Sequence, residues 1–129
     1  MHALHNIHAA LVPDGLLVDT QPIGSQPRVA ANGAELGTLD MHEWIETIRA
    51  VDERVDETIA TGLFEQTDER TLVIRDTFDD GPNCLEIIGT WRGTRVPQQL
   101  ADRLAAVRDQ VTVDQQVRLR VLRRRPASA

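Results

Sequence analysis

His2, His5 and His8 recur every three residues. On a helix, adjacent members would come within reach of one metal ion, since imidazole is the commonest nitrogen ligand. A spacing of three drifts around the helix, so all three cannot converge; an exposed helix end is the plainer reading and no metal site is expected. Asp76, Asp79 and Asp80 carry oxygen ligands suited to calcium or magnesium. Yet Asp79-Asp80-Gly81-Pro82-Asn83 is also dense turn chemistry, and it lacks the EF-hand spacing. Cys84 would be a nucleophile only if a base or the positive end of a helix lowered its pKa; otherwise it is a small buried hydrophobe. His42, beside Glu43, would need a partner and a pocket to act as a general base, and without them it is an ordinary polar residue in a first helical turn.

Arg118, Arg120, Arg123, Arg124 and Arg125 crowd the C-terminal end, with no acid after Asp114. Such segregation suits phosphate contact. No aromatic residue interleaves with these arginines, so a solvated strand, or docking on the acidic helix of a second copy, is expected and nucleic acid is not. Asp19, Thr20 and Gln21 follow an apolar run, and ligands of open α/β sheets sit outside the carboxyl ends of strands. With three residues around the start of a long helix, they complete a candidate ligand-binding set: Asp19, Gln21, Asp40, His42 and Trp44. No residue is singled out as catalytic.

The elements that must position these groups are legible in the periodicity. Leu4, Ile7, His8 and Leu11 predict a short amphipathic helix stopped by Pro13-Asp14-Gly15. Leu16-Leu17-Val18 predicts a buried strand ended by Pro22. Asn32-Gly33, which tolerates positive φ at both turn centres, predicts a small hairpin between Arg28 and Leu39. Asp40 and Glu43 have capping-box spacing, and Trp44, Ile48, Val51, Val55 and Ile59 trace the core face of a long helix whose other face is acidic. Gly62 suits its left-handed closure, with Leu63-Phe64 folding back. Thr71 to Phe78 predicts a strand; Leu85, Ile88 and Trp91 a short helix; Leu100, Leu104 and Val107 another. Val111, Val113, Val117, Leu119 and Val121 alternate with polar residues, placing Arg118 and Arg120 on the solvent side of a last strand.

Totals narrow the class further. The chain has 129 residues, 14 basic and 20 acidic, for a net charge of -6, with 41% hydrophobic residues. That suffices for one self-sufficient core. All the basic residues are Arg, there is no Tyr, and a single cysteine excludes an intrachain disulfide. The acidic balance argues against a general polyanion binder, and no apolar run approaches the ~20 residues that span a bilayer. Met1 to Leu11 lacks the basic head of a secretory signal, so a cytoplasmic location is expected.

The segment Leu4 to Asp19 resembles the helix, Pro-Gly turn and fifth strand of class I S-adenosylmethionine-dependent methyltransferases. Leu4, Ile7, Leu11, Pro13, Gly15 and Leu16 to Val18 match that pattern, while Asp14 replaces a Gly and Asn6 a common acid. The resemblance implies the C-terminal half of a Rossmann-like fold. The family holds its cofactor with a Gly-rich turn and a later acid, both ahead of the matched segment, and this chain has no such turn.

The expected architecture is therefore α/β. A small mixed sheet, from strands near Leu16, Leu72 and Val117, carries packed helices and a β-hairpin as one domain over 1–122, with a flexible Arg-rich tail over 123–129. The expected function is a methyltransferase-related domain without its own S-adenosylmethionine-binding half, inactive alone and acting as a substrate-side or dimerising unit. No cofactor is expected for the isolated chain; S-adenosylmethionine enters only with a complementary half. The alternatives are a small-ligand-binding domain with a pocket around Asp19, Gln21, Asp40 and Trp44, or a structural self-association module. The expected partner is a second copy, burying a sheet edge or the Trp44 face, or a complementary methyltransferase half.

Overall fold

The computed structural model describes residues 2–12 and 14–126. Pro13 of the resemblance, and residues 127–129 of the expected tail, lie outside them. In chain order the elements are α1 (His2–Ala10), β1 (Leu16–Pro22), β2 (Arg28–Ala31), β3 (Ala34–Thr38), α2 (His42–Ala60), β4 (Phe64–Phe78), α3 (Gly81–Ile88), α4 (Gln98–Ala105) and β5 (Val111–Arg124). The fold is α/β, and the strands expected near Leu16, Leu72 and Val117 share one five-stranded sheet with the hairpin. Its order is β1-β5-β2-β3, with β4 also paired to β5.

The sheet is antiparallel, not mixed as expected. β2 runs against both β3 and β5. Ile23 N–H donates to the Gln116 carbonyl and Arg124 N–H to the Gly15 carbonyl, so β1 also descends as β5 ascends. Thr67 reaches the Val121 carbonyl and Arg75 reaches Asp114, so β4 does the same. α3 and α4 lie in the connection between β4 and β5, and the chain re-enters the sheet beside the strand it left, running in the opposite direction.

Contacts divide the chain into two compact units. The first comprises Met1–Gln21, Thr47–Leu72 and Arg118–Ala129. Its core is Leu4, Val55, Phe64 and Leu122, with Leu11, Leu17, Val51, Ile59 and Leu63 packed against it. Gly62 adopts φ 81°, and Leu63 N–H donates to the Thr58 carbonyl, so the helix closes as expected and Phe64 is turned into the core. His8, expected on an exposed helix end, is buried; its Nε2 lies 2.7 Å from the Arg125 carbonyl and its ring meets Phe64 edge-on at 5.5 Å. Arg124 N–H donates to Gly15 and Arg125 N–H to Leu63, while Arg124 Nε donates to the His8 carbonyl. The last strand therefore runs further into the arginine cluster than its alternation suggests.

The second unit comprises Pro22–Glu46 and Val73–Val117. Val29, Ala31, Leu39, Phe78, Cys84, Ile88, Leu100, Leu104, Val111 and Val113 form its core. Asn32 and Gly33 have φ 55° and 74°, the pair of left-handed centres expected of the hairpin turn. Asp80 caps α3 by accepting from Asn83 N–H at 2.8 Å, with Pro82 in the first turn. A Cβ on Gly81 would run into the Leu104 carbonyl, so only glycine lets α3 and α4 approach this closely.

Candidate ligand-binding cleft

Residues of β1, α2, β4, β5 and the loop after α3 converge in the second unit on one cleft of about 440 Å³. It is lined by Pro22, Met41, Trp44, Asp76, Trp91, Arg92, Thr94 and Gln115. Trp44 enters from the first turn of α2, which begins at His42 because Asp40 Oδ1 accepts from the His42 N–H at 3.0 Å. The reciprocal half of the expected capping box is replaced: Asp40 N–H donates to the Arg95 carbonyl, and Glu43 meets Arg95 Nη2 at 2.6 Å.

Those contacts shape the opposite wall. Arg95 N–H returns a bond to the Asp40 carbonyl at 2.7 Å, so the loop carrying Trp91, Arg92 and Thr94 is stapled by paired backbone bonds to the start of α2. Gly93 makes the approach possible: its φ is 64°, and a Cβ there would lie 2.8 Å from Trp44 N. Trp91 leans on Phe78, centroids 6.3 Å apart, and is packed against the core. Thr94 Oγ1 donates to the Arg92 carbonyl at 3.2 Å, and Gln115 Nε2 points to Met41 Sδ at 3.2 Å. Asp76 and Arg92 line the same cleft, yet neither side chain forms a hydrogen bond or ion pair with any described residue, including each other.

Of the five residues nominated from sequence, only Trp44 lines this cleft. Asp40 organises its wall through the backbone and the α2 cap, and His42 is exposed at the head of α2. Asp19 and Gln21 belong to the first unit, where Gln21 Nε2 donates to Asp19 Oδ1 at 2.9 Å and Arg120 is their neighbour. There Arg120, expected on the solvent side, is buried. It meets Asp56 at 2.7 Å and Asp19 and Asp52 at 3.4 Å, while Arg118 meets Asp52 at 2.8 Å. Burial opposes the Arg120 charge, but the Asp56 hydrogen bond and the charges of Asp19, Asp56 and Asp52 outweigh it and raise its pKa. The acidic helix thus holds arginines of its own chain. The cluster is an internal support, with its carboxylates already engaged.

The remaining candidates resolve locally. Cys84 is fully buried and burial pushes its thiol up to about 11, the opposite of an activated nucleophile. Asp79 and Asp80 serve the start of α3, and Asp76 is the member of that trio that reaches the cleft. Among the described residues, no three of His, Cys, Asp and Glu are grouped to hold a metal ion, and no helix is long and apolar enough to cross a membrane.

No protein-family model, no curated protein and no solved structure matches this chain. Sequence reasoning missed Asp76, Trp91, Arg92 and Gln115 as cleft residues, because Trp91 was assigned to a helix face and Asp76, inside a predicted strand, was weighed only as a cation ligand beside Asp79 and Asp80. The available signal was Trp91-Arg92-Gly93-Thr94: a bulky aromatic beside a glycine just after a helix marks a loop that packs closely.

Proposed function

We propose that this protein is a small-ligand-binding α/β domain whose site is the Trp44 and Trp91 cleft. One observation carries the reading: two indoles, one acid and one base share a cleft walled by a stapled loop, and the half-buried Asp76 and exposed Arg92 have no protein partner among the described residues. Small-molecule sites are concave, largely apolar, and equipped with a few polar groups that orient the ligand; volumes of about 300–1,000 Å³ are usual. The polar groups of the lining are suited to orienting a ligand: Asp76 and Arg92 supply charge, and the one hydroxyl, that of Thr94, is donated to a backbone carbonyl.

The test is a screen of neutral aromatic fragments, indole and phenol among them, against the two indole N–H signals of the labelled chain. Binders that shift both signals, and lose affinity in Trp44→Ala and Trp91→Ala, are the expected result. Fragments that leave both signals in place overturn the reading.

A second reading, the methyltransferase-related dimerising half, is supported by one local observation. Gly15 N–H donates to the Val12 carbonyl at 2.8 Å between α1 and β1, the helix, turn and strand order of the resemblance. Leu16 and Val18 on β1 are 58% and 56% exposed, and the β4 edge shows Leu72, Val73 and Ile74, apolar surface that a second copy or a complementary half would cover. S-adenosylmethionine enters that reading only through the other half, since the chain brings no Gly-rich turn. Calorimetric titration with S-adenosylmethionine and S-adenosylhomocysteine, with light scattering in the same buffer, tests it: a dimer supports the reading, and a monomer at high micromolar concentration defeats the dimerising role.

A further inference from the structure

We propose that the cleft selects a small zwitterion, an ammonium carboxylate with an apolar or aromatic body, Asp76 receiving the ammonium and Arg92 the carboxylate. The proposal rests on the ligand-binding reading given above. Its basis is the pairing pattern around the cleft. In the same unit, arginines and acids find one another: Arg75 with Asp114, Arg95 with Glu43, Arg28 with Glu35. Asp76 follows Arg75 directly on β4, but Arg75 is committed to Asp114 through two hydrogen bonds of 2.7 and 3.0 Å. Asp76 and Arg92 have no such partner among the described residues, and of the charged side chains left unpaired in this unit they are the two that line the cleft.

A ligand of one sign would meet one of these groups, exposed Arg92 or half-buried Asp76, and leave the other with water alone. A zwitterion satisfies both and leaves the site neutral. The indole faces of Trp44 and Trp91 favour the same choice: an ammonium is drawn to their negative faces, and an apolar body fills the space between polar ends. Because the staple of Asp40 and Arg95 and the close approach at Gly93 hold the walls before any ligand arrives, the site pays little ordering cost on binding.

Trp44 and Trp91 are the only tryptophans, so two indole N–H resonances of the full-length labelled chain report the cleft alone. Titrations with L-phenylalanine, 2-phenylethylamine and 3-phenylpropionate, which share one body and differ in charge, decide the question. L-Leucine supplies a second body. The expected result is that a zwitterion binds at least tenfold more tightly than either singly charged probe, equivalent to about 1.4 kcal/mol. Asp76→Asn should abolish the advantage over 3-phenylpropionate, and Arg92→Gln the advantage over 2-phenylethylamine. Both residues make no contact that folding requires, so the variants should keep the wild-type amide spectrum. Equal affinities across the charge series, or a singly charged probe binding best, would overturn the zwitterion while leaving a ligand site standing. Indole signals that none of these probes, and none of the neutral fragments, displaces would overturn both.

Discussion

Replacing Arg120 with Met tests the reading of the first unit's polar cluster most directly. The guanidinium is 4% exposed and serves Asp19, Asp52 and Asp56 at once. Removing one partner of a buried ion pair costs about 3–5 kcal/mol, chiefly because the other charge is stranded. Here the three carboxylates differ. Asp56 is 65% exposed and reverts to water, and Asp52 keeps Arg118 at 2.8 Å. Asp19, 12% exposed, is left with the Gln21 amide. One stranded carboxylate places the cost at the lower end, about 3 kcal/mol, or about 10 °C in melting temperature for a chain of this size. Urea unfolding at pH 7 followed by far-ultraviolet circular dichroism measures it. Adding Asp19→Asn to Arg120→Met should return about 1–2 kcal/mol, since the stranded charge is then gone. A loss below about 1 kcal/mol, with no recovery in the double variant, would mean that the cluster behaves as a solvated surface pair and that the reasoning is wrong.

Gly81→Ala should cost about 2–3 kcal/mol, because its Cβ meets the Leu104 backbone, whereas Gly24→Ala, with nothing near its Cβ, should stay within about 0.5 kcal/mol in the same unfolding assay. The Cys84 thiol should resist a disulfide reagent at pH 8 in the native state and react fully in urea. Its folded pKa, about 11, lies above the ordinary 9.0, so its contribution to stability is complete below pH 9 and is lost as pH rises through 11; Cys84→Ser should remove that alkaline slope in chemical unfolding. The Asp114 carboxyl is held below its ordinary 3.8 by the Arg75 hydrogen bond, so this pair's small, solvent-screened contribution should persist above pH 4 and fade as pH falls below it; Arg75→Gln should flatten that acid limb.

Much of the scaffold was legible in the chain because short-range chemistry decides it. The three- and four-residue apolar repeat of α2, the Asn32-Gly33 turn and the Gly62 closure each act within a few residues, and each stands where it was expected. The first half of β4 was not legible. Glu65 to Arg70 is polar on both faces, which strand patterning forbids for a core strand but permits for an edge, where charge also blunts unwanted pairing. Arg120 was misplaced for a related reason. Along β5 the buried side chains are Val111, Val113 and Val117, then Arg120 and Leu122, so the buried parity changes between the part in one unit and the part in the other. Alternation alone cannot report which face a helix will cover.

By itself the sequence determined that the protein is an acidic α/β chain without a disulfide, and where its main turns and its long amphipathic helix fall, because those properties follow from composition and from contacts within a turn or two. Only the tertiary structure decided that the sheet is antiparallel, that Arg120 rather than a core valine meets the acidic face of α2, and that Asp76, Trp44 and Trp91-Arg92 face one cleft. Trp44 and the Trp91-Arg92 loop are joined through no local pattern; they meet because a glycine at positive φ and a pair of backbone bonds draw that loop against a helix start, and such long-range approaches leave no period in the chain.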